Sequence, residues 1–184
     1  MYGEDIKYKV ILFENKYSQS HLLNSFDCGN EDINKYLMKV NEVFNNGMGV
    51  TKLIVNEDKT KIIGFYTVCS SAMLQTIDKH NRALPAIELK MFAIDLKYQD
   101  ILFYKDMESE KYTFSDVILS DIVLNITNLA NEVIGIKYII LQSVTDAILF
   151  YRRNFFVPID EINEFLELPY DRFSIGCKEM CYVI

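Results

Sequence analysis

The sequence predicts a mixed α/β fold, in which helices cover both faces of a β-sheet. Segments with strand-like and helix-like periodicity follow one another in the order strand, helix, hairpin, strand, helix, strand, helix and final strands. Half of the 184 residues are apolar, and no internal repeat or Pro/Gly-rich linker divides them. That length suits one well-packed domain. We therefore expect a single domain over residues 1–184.

The first half of the chain predicts a strand, a helix and a hairpin. A strand is expected at residues 9–13, because residues 10–13 are apolar and two of them, Val10 and Ile11, are β-branched. Asn30 is placed to cap a helix with apolar residues at helical spacing, and residues 46–47 (Asn-Gly) are placed to end it. Residues 50–55 and 61–69 are expected to form a hairpin around a polar turn.

The second half predicts a strand, a long helix, a central strand and a short helix. A strand is expected over 87–94, and a helix over 116–134 with Ser115 as its N-cap and Gly135 as a left-handed residue at its end. Residues 137–144 are apolar throughout most of their length, as in a strand covered on both faces. The short helix and final strands follow, at 145–152, 155–157 and 173–184.

Charge and composition exclude several classes of protein. The formal net charge is −7, and the lysines are scattered, which argues against a DNA partner because phosphate contacts need a basic face. An acidic surface suits a cationic amine. No apolar run is long enough to cross a membrane and no secretory signal is visible, so we expect a cytoplasmic protein. The four cysteines lack zinc-site spacing and are expected to be free thiols without a metal.

Three motifs carry a resemblance to a known family. They are FDCGNEDINKYL at 26–37, IGFYTV at 63–68 with LPAIELKMFAID at 84–95, and AILFYRRNFF at 147–156. As an ordered set they resemble the GNAT superfamily of N-acetyltransferases, and in particular its toxin-type branch, which acetylates aminoacyl-tRNA. The resemblance implies a GNAT-like fold with two splayed central parallel strands, at 89–94 and 138–143.

The same resemblance implies roles for particular residues. Backbone groups of Phe92, Ala93 and Ile94 would hold the pantetheine arm of acetyl-CoA. Tyr151 would be the general acid that protonates the leaving thiolate, and a phenol with a pKa of about 10 suits that role. The alternative for Tyr151 is an aromatic side chain that only packs against its neighbours.

The segment that would receive the diphosphate of coenzyme A departs from the family pattern. The family has a Q/R-x-x-G-x-G/A loop there, whereas the corresponding residues here contain no glycine and include Asp116. The backbone amides expected to bind phosphate belong to Phe114, Ser115, Asp116 and Val117. Phe155 also replaces a glycine of the third motif.

These observations predict an acetyl-CoA-dependent N-acetyltransferase that acts directly on a primary amine. The first motif favours aminoacyl-tRNA as the acceptor, whereas the acidic charge favours a small molecule or a protein. The alternative is a degenerate, non-catalytic binding protein; a homodimer is left open.

Three further features have two interpretations each. Asp95 is expected either to orient a substrate amine or to cap a turn. His80, with Lys79 and Arg82, is expected either to line a substrate cleft or to lie in a solvated loop. A run of acidic residues near the end of the chain is expected either to attract a cationic substrate or to be solvated. The acidic run comprises Asp160, Glu161, Glu164 and Glu167.

Overall fold

A computed structural model describes residues 6–14, 21–40, 49–105, 111–162, 166–168 and 176–184. The strands are β1 (Tyr8–Leu12), β2 (Val50–Asn56), β3 (Ile62–Ile77), β4 (His80–Ile94), β5 (Leu102–Lys105), β6 (Lys111–Thr113), β7 (Tyr138–Ser143), β8 (Val157–Pro158), β9 (Leu166–Glu167) and β10 (Lys178–Val183). The helices are α1 (His21–Asn24), α2 (Glu31–Met38), α3 (Leu96–Gln99), α4 (Phe114–Glu132), α5 (Ile148–Arg153) and α6 (Ile159–Ile162), with a 3-10 turn at Thr145–Ala147.

The main sheet is mixed, as the sequence predicts. Its strand order is β1-β2-β3-β4-β7-β10-β8, with β9 paired to β3, while β5 and β6 form a separate pair. The pairs β1–β2, β2–β3, β7–β10 and β8–β10 are antiparallel. β4 and β7 are parallel, with residues 86–88 paired to 138–140. The combination of parallel and antiparallel pairs with interleaved helices confirms the mixed α/β class.

The chain divides into two compact units. The first contains Met1–Cys69 with Lys90–Ile118, and the second contains Ser70–Leu89 with Leu119–Ile184. Each has its own apolar core. The buried core residues of the first unit are Phe13, Leu23, Phe26, Leu37, Val40, Leu53, Val55, Ile62, Phe65 and Ala93. Those of the second unit are Met73, Leu84, Ala86, Tyr138, Ile140, Ile159, Leu166 and Cys181. The single domain expected over the whole chain stays a prediction.

β3 and β4 form a hairpin that the sequence does not predict, and both extend beyond the strands expected at 61–69 and 87–94. Asp78 and Lys79 have φ of +48° and +68°, as in a two-residue type I′ turn, which matches the twist of the flanking strands. His80 and Arg82 therefore lie in β4 and not in a loop, but they are exposed to solvent, as expected, and Lys79 lies in the turn. The sequence does not predict a strand there because this end of the hairpin is exposed at residues 80–83, so its polar sequence carries no apolar alternation.

The start of α2 confirms the predicted N-cap. The Asn30 Oδ1 atom accepts hydrogen bonds from the backbone amides of Asp32 (3.0 Å) and Ile33 (3.2 Å), which otherwise lack helical partners. Leu37 is buried in the core of the first unit. The predicted end of this helix, at 46–47, lies outside the described residues.

Both ends of α4 differ from the prediction. The helix begins at Phe114, so Ser115 lies inside its first turn and the expectation that Ser115 is the N-cap is wrong. Thr113 precedes the helix, and its backbone amide and hydroxyl both donate to Oδ2 of Asp116. A carboxylate at the third helical position that bonds back in this way is half of a capping box. Gly135 is not among the described glycines with positive φ, because the helix has already ended at Glu132.

Three further expectations concern membranes, metals and thiols. None of the helices in the described ranges is long and apolar enough to cross a membrane. Within the same ranges no three His, Cys, Asp or Glu side chains are grouped as metal ligands would be. The four cysteines are free, as predicted, and Cys181 is buried.

Candidate active site

The last residues of β4 show which backbone groups a ligand could meet. The Asp95 amide donates to the Ile63 carbonyl of β3 (2.8 Å), and the Ala93 carbonyl also lies against β3, beside Gly64. Consecutive residues of a strand direct their backbone groups to opposite sides. Phe92 and Ile94 therefore direct theirs away from β3. Of the three residues predicted to hold a pantetheine arm, these two have the suitable orientation and Ala93 does not.

Gly64 sets the position of this strand end. A Cβ atom at Gly64 would lie 2.6 Å from the Ala93 carbonyl oxygen and 2.6 Å from Cδ1 of Ile94. Such distances are far below normal packing contacts, so only glycine allows β3 and β4 to approach this closely. The second motif of the sequence thus contains a glycine with a structural requirement next to the candidate site.

Gln99 joins three segments of the first unit, and the sequence analysis missed it. Its Nε2 donates to the carbonyls of Ile94 (2.7 Å) and Cys28 (3.0 Å). Its own carbonyl accepts a hydrogen bond from Oγ of Ser115 (3.3 Å). Gln99 therefore connects the end of β4, the FDCG segment and the first turn of α4. No periodicity marks a single polar residue in this mixed stretch, so the sequence contained no signal for it.

Asp95 is a buried cap, as one of its two predicted interpretations requires. Its side chain is only 3% exposed. Oδ1 accepts from the Lys97 amide (3.0 Å) and caps α3, while Oδ2 accepts from the Asp27 amide (3.2 Å). Because both oxygens already hold backbone amides, the structure favours capping over orientation of a substrate amine.

The FDCG segment is held by its own polar side chains. Oδ1 of Asp27 accepts from the Gly29 amide (2.8 Å) and from Nδ2 of Asn34 (2.8 Å). These bonds, the Gly29 amide first, lower the pKa of Asp27 below its ordinary value. Oδ1 of Asn34 accepts from the Cys28 amide (3.1 Å). Gly29 has φ of +82°, which favours glycine there. The segment therefore shapes the loop that contacts Asp95 and Gln99.

The first turn of α4 already contains an anion of its own. Asp116 is 3% exposed, and Oδ2 accepts from the Thr113 amide (2.7 Å) and hydroxyl (2.7 Å). The Phe114 amide donates to the Ile101 carbonyl (2.8 Å). Phe114 and Ser115 are buried and Val117 is half-buried. The structure thus brings the four predicted phosphate-binding residues into the first unit, but their arrangement does not fit a diphosphate.

Tyr151 lies in α5, in the second unit. Its ring is buried and packs edge-on against Phe150 (5.2 Å between centroids) and Phe156 (5.7 Å). Burial raises the pKa of Tyr151 above its ordinary value. The ring therefore packs as the alternative interpretation requires, and the role of Tyr151 as a general acid stays a prediction.

A Schellman motif at the end of α5 holds the Tyr151 backbone. The amides of Asn154 (3.0 Å) and Phe156 (3.1 Å) donate to the Tyr151 carbonyl, and the Phe155 amide donates to Arg152 (3.0 Å). Phe155 has φ of +67° and is 78% exposed. The position where the family motif has glycine thus keeps the left-handed conformation that glycine adopts easily.

The acidic run near the end of the chain has partners where it is described. Oδ2 of Asp160 accepts from the Lys178 ammonium (2.7 Å), a bond that lowers the pKa of Asp160, and Glu161 pairs with Arg152. Glu164 lies outside the described residues, as does the side chain of Glu167. The two described carboxylates are therefore engaged on the surface of the second unit, and the structure favours the solvated interpretation.

Comparisons with known proteins agree on the fold. No protein-family model and no curated protein matches the sequence. A bacterial toxin structure matches with a TM-score of 0.70 and 18% identity, over 97% of this chain and 91% of that one. A mutant AtaT toxin bound to the C-terminus of the antitoxin AtaR and acetyl-CoA matches with a TM-score of 0.65 and 17% identity, over 96% and 93%. AtaT complexed with acetyl-methionyl-tRNAfMet matches with a TM-score of 0.64 and 17% identity, over 94% of both chains.

The comparisons define the fold class of this chain. Nearly the whole chain takes part in the match, and nearly the whole of each toxin is covered. The GNAT-like fold that the three motifs predict is therefore confirmed, in the form found in toxins such as AtaT. The splay of the two central strands and the catalytic role of Tyr151 stay predictions.

Proposed function

We propose that the protein is an N-acetyltransferase that transfers an acetyl group from acetyl-CoA directly to a primary amine. The observation that carries this proposal is the strand end at Phe92 and Ile94, whose backbone groups are directed away from β3 in a GNAT-like fold. Asp95, Gln99 and Gly64 keep this strand end in place. The AtaT structure with acetyl-CoA supports the choice of donor.

The proposed reaction has one transfer step. The amine nitrogen attacks the acetyl carbonyl carbon, the N–C bond forms and the C–S bond breaks, and the amine loses a proton to solvent. The backbone of Phe92 and the amide of Ile94 hold the pantetheine arm, while the Ile94 carbonyl stays bonded to Gln99. Tyr151 donates its proton to the leaving sulfur and then regains a proton from solvent, so that coenzyme A leaves as the thiol and the phenol is restored.

The proposed acceptor is the α-amino group of an aminoacyl-tRNA. The first motif of the toxin-type branch and the AtaT complex with acetyl-methionyl-tRNAfMet support this choice. The net charge of −7 instead favours a small cationic amine or a protein, so both belong in the first assay. The proposed compartment is the cytoplasm.

A non-catalytic binding protein is the second candidate function. The observation that favours it is the carboxylate of Asp116 at the start of α4.

Radiolabelled acetyl-CoA tests the proposal directly. Purified protein is incubated with the donor and with aminoacyl-tRNA, a polyamine, lysine or a lysine-rich protein, and label transfer is counted. We expect transfer to at least one amine. A folded sample that neither transfers acetyl groups nor binds acetyl-CoA would refute the proposal and leave the second candidate.

A tyrosine variant tests the catalytic residue. Tyr151→Phe keeps the packing against Phe156 and removes the proton donor, so we expect kcat to fall about 10²–10⁴-fold, the usual contribution of general acid catalysis. Tyr182→Phe is the matched control, because Tyr182 also packs on Phe156, and it is expected to keep full turnover. Equal activity of the two variants would remove Tyr151 from the acid role.

A further inference from the structure

The first turn of α4 holds a buried carboxylate where a helix would otherwise attract a ligand anion. The start of a helix carries partial positive charge and amides without helical partners, and phosphates commonly bind there. Here Asp116, which is 3% exposed, supplies the negative charge from within the helix. Its Oδ2 accepts two hydrogen bonds from Thr113, at 2.7 Å each.

A second donor in this turn is also engaged. The Phe114 amide donates to the carbonyl of Ile101 (2.8 Å). A phosphate brought to this end would meet a carboxylate of the same sign in a buried environment, where like charges repel strongly. It would also have to displace the bonds from Thr113. The same residues therefore both neutralise the start of α4 and exclude a second anion.

We propose that Asp116 sets the donor selectivity of the candidate active site. Acyl thioesters are recognised through the pantetheine arm at Phe92 and Ile94, and the phosphate of the donor contributes no affinity at the start of α4. The chemical class of donor is thus any acetyl thioester of pantetheine, with or without a phosphate. This inference rests on the proposed acetyltransferase function.

Two small thioesters test the inference on the unaltered protein. Acetyl-pantetheine and acetyl-4′-phosphopantetheine differ only in one phosphate, and calorimetry gives a Kd for each. If the helix start bound that phosphate, a charge-assisted hydrogen bond would tighten the Kd about tenfold or more. We expect the Kd values of the two thioesters to agree within a factor of about three, which is too small a difference for such a hydrogen bond. If acetyl-4′-phosphopantetheine bound more tightly than acetyl-pantetheine by a larger factor, the inference would be overturned.

A charge-removing variant then tests the role of Asp116 itself. Asp116→Asn keeps an oxygen that can accept from the Thr113 amide, and it removes the negative charge. We expect the phosphorylated thioester to bind about tenfold more tightly, with acetyl-pantetheine unchanged. Asp32→Asn is the matched control, because it removes the same charge from the first turn of α2, and it should change neither Kd.

The outcomes separate this inference from the proposed function. If acetyl-4′-phosphopantetheine binds the Asp116→Asn variant no more tightly than the unaltered protein, Asp116 does not determine donor selectivity and the inference fails. If that variant does not fold, the two Kd values of the unaltered protein decide alone. If thioester binding depends on the phosphate, only the proposed donor selectivity is overturned. The proposed acetyltransferase function would stand, because the protein would still turn over acetyl-CoA. If no thioester binds at all, the proposed function and the inference fail together.

Discussion

Replacing Gly64 with alanine should disturb both stability and the candidate active site. The added Cβ would lie 2.6 Å from the Ala93 carbonyl oxygen, whereas normal carbon–oxygen contacts are longer by several tenths of an ångström. The obstructing atom belongs to the backbone and cannot rotate away. Forced overpacking of a core typically costs about 1–3 kcal/mol, and we expect Gly64→Ala near the upper end. The shift must move Ala93 and Ile94, so thioester binding should weaken as well.

Urea unfolding followed by circular dichroism measures this effect against a matched control. A Cβ at Gly135 would meet nothing within 4 Å, and that residue does not have positive φ. Gly135→Ala should therefore be neutral or stabilise by about 0.4–1 kcal/mol, through the entropy of the unfolded chain. If both variants unfolded at the same urea concentration, the close approach of β3 and β4 would be refuted.

Two further predictions concern the Schellman motif and the FDCG segment. Phe155→Gly relieves a left-handed conformation that costs an L-residue about 1–2 kcal/mol. The greater flexibility of glycine in the unfolded chain offsets part of this gain, and the urea midpoint should still rise. A lower midpoint would mean that the exposed Phe155 ring stabilises the fold. Asp27 has a lowered pKa, so its ionised form stabilises the fold above the ordinary value of 3.8 and that contribution is lost as pH falls through the folded-state pKa. Relative to Asp27→Asn, the unaltered protein should therefore lose stability in acid, and parallel pH profiles of unfolding would contradict this.

Local patterns in the sequence were sufficient for several elements. Asn30 precedes a run of helical spacing and caps α2, and Asp95 ends a strand and caps α3. The apolar positions Leu119, Ile122 and Ile126 are buried along α4 as their spacing indicates. Each of these depends on neighbours within about one helical turn, and such neighbours are visible in the sequence itself.

The sequence by itself therefore determined the mixed α/β class, the order of its main elements and the family that its motifs resemble. Only the tertiary structure decided how the candidate site is built. Gln99 bonds to a carbonyl 71 residues away, Gly64 faces the end of β4, and Asp116 turns its carboxylate back to Thr113. Hydrogen bonds and close approaches between distant segments depend on where the folded chain places them, and residue type alone does not carry that information.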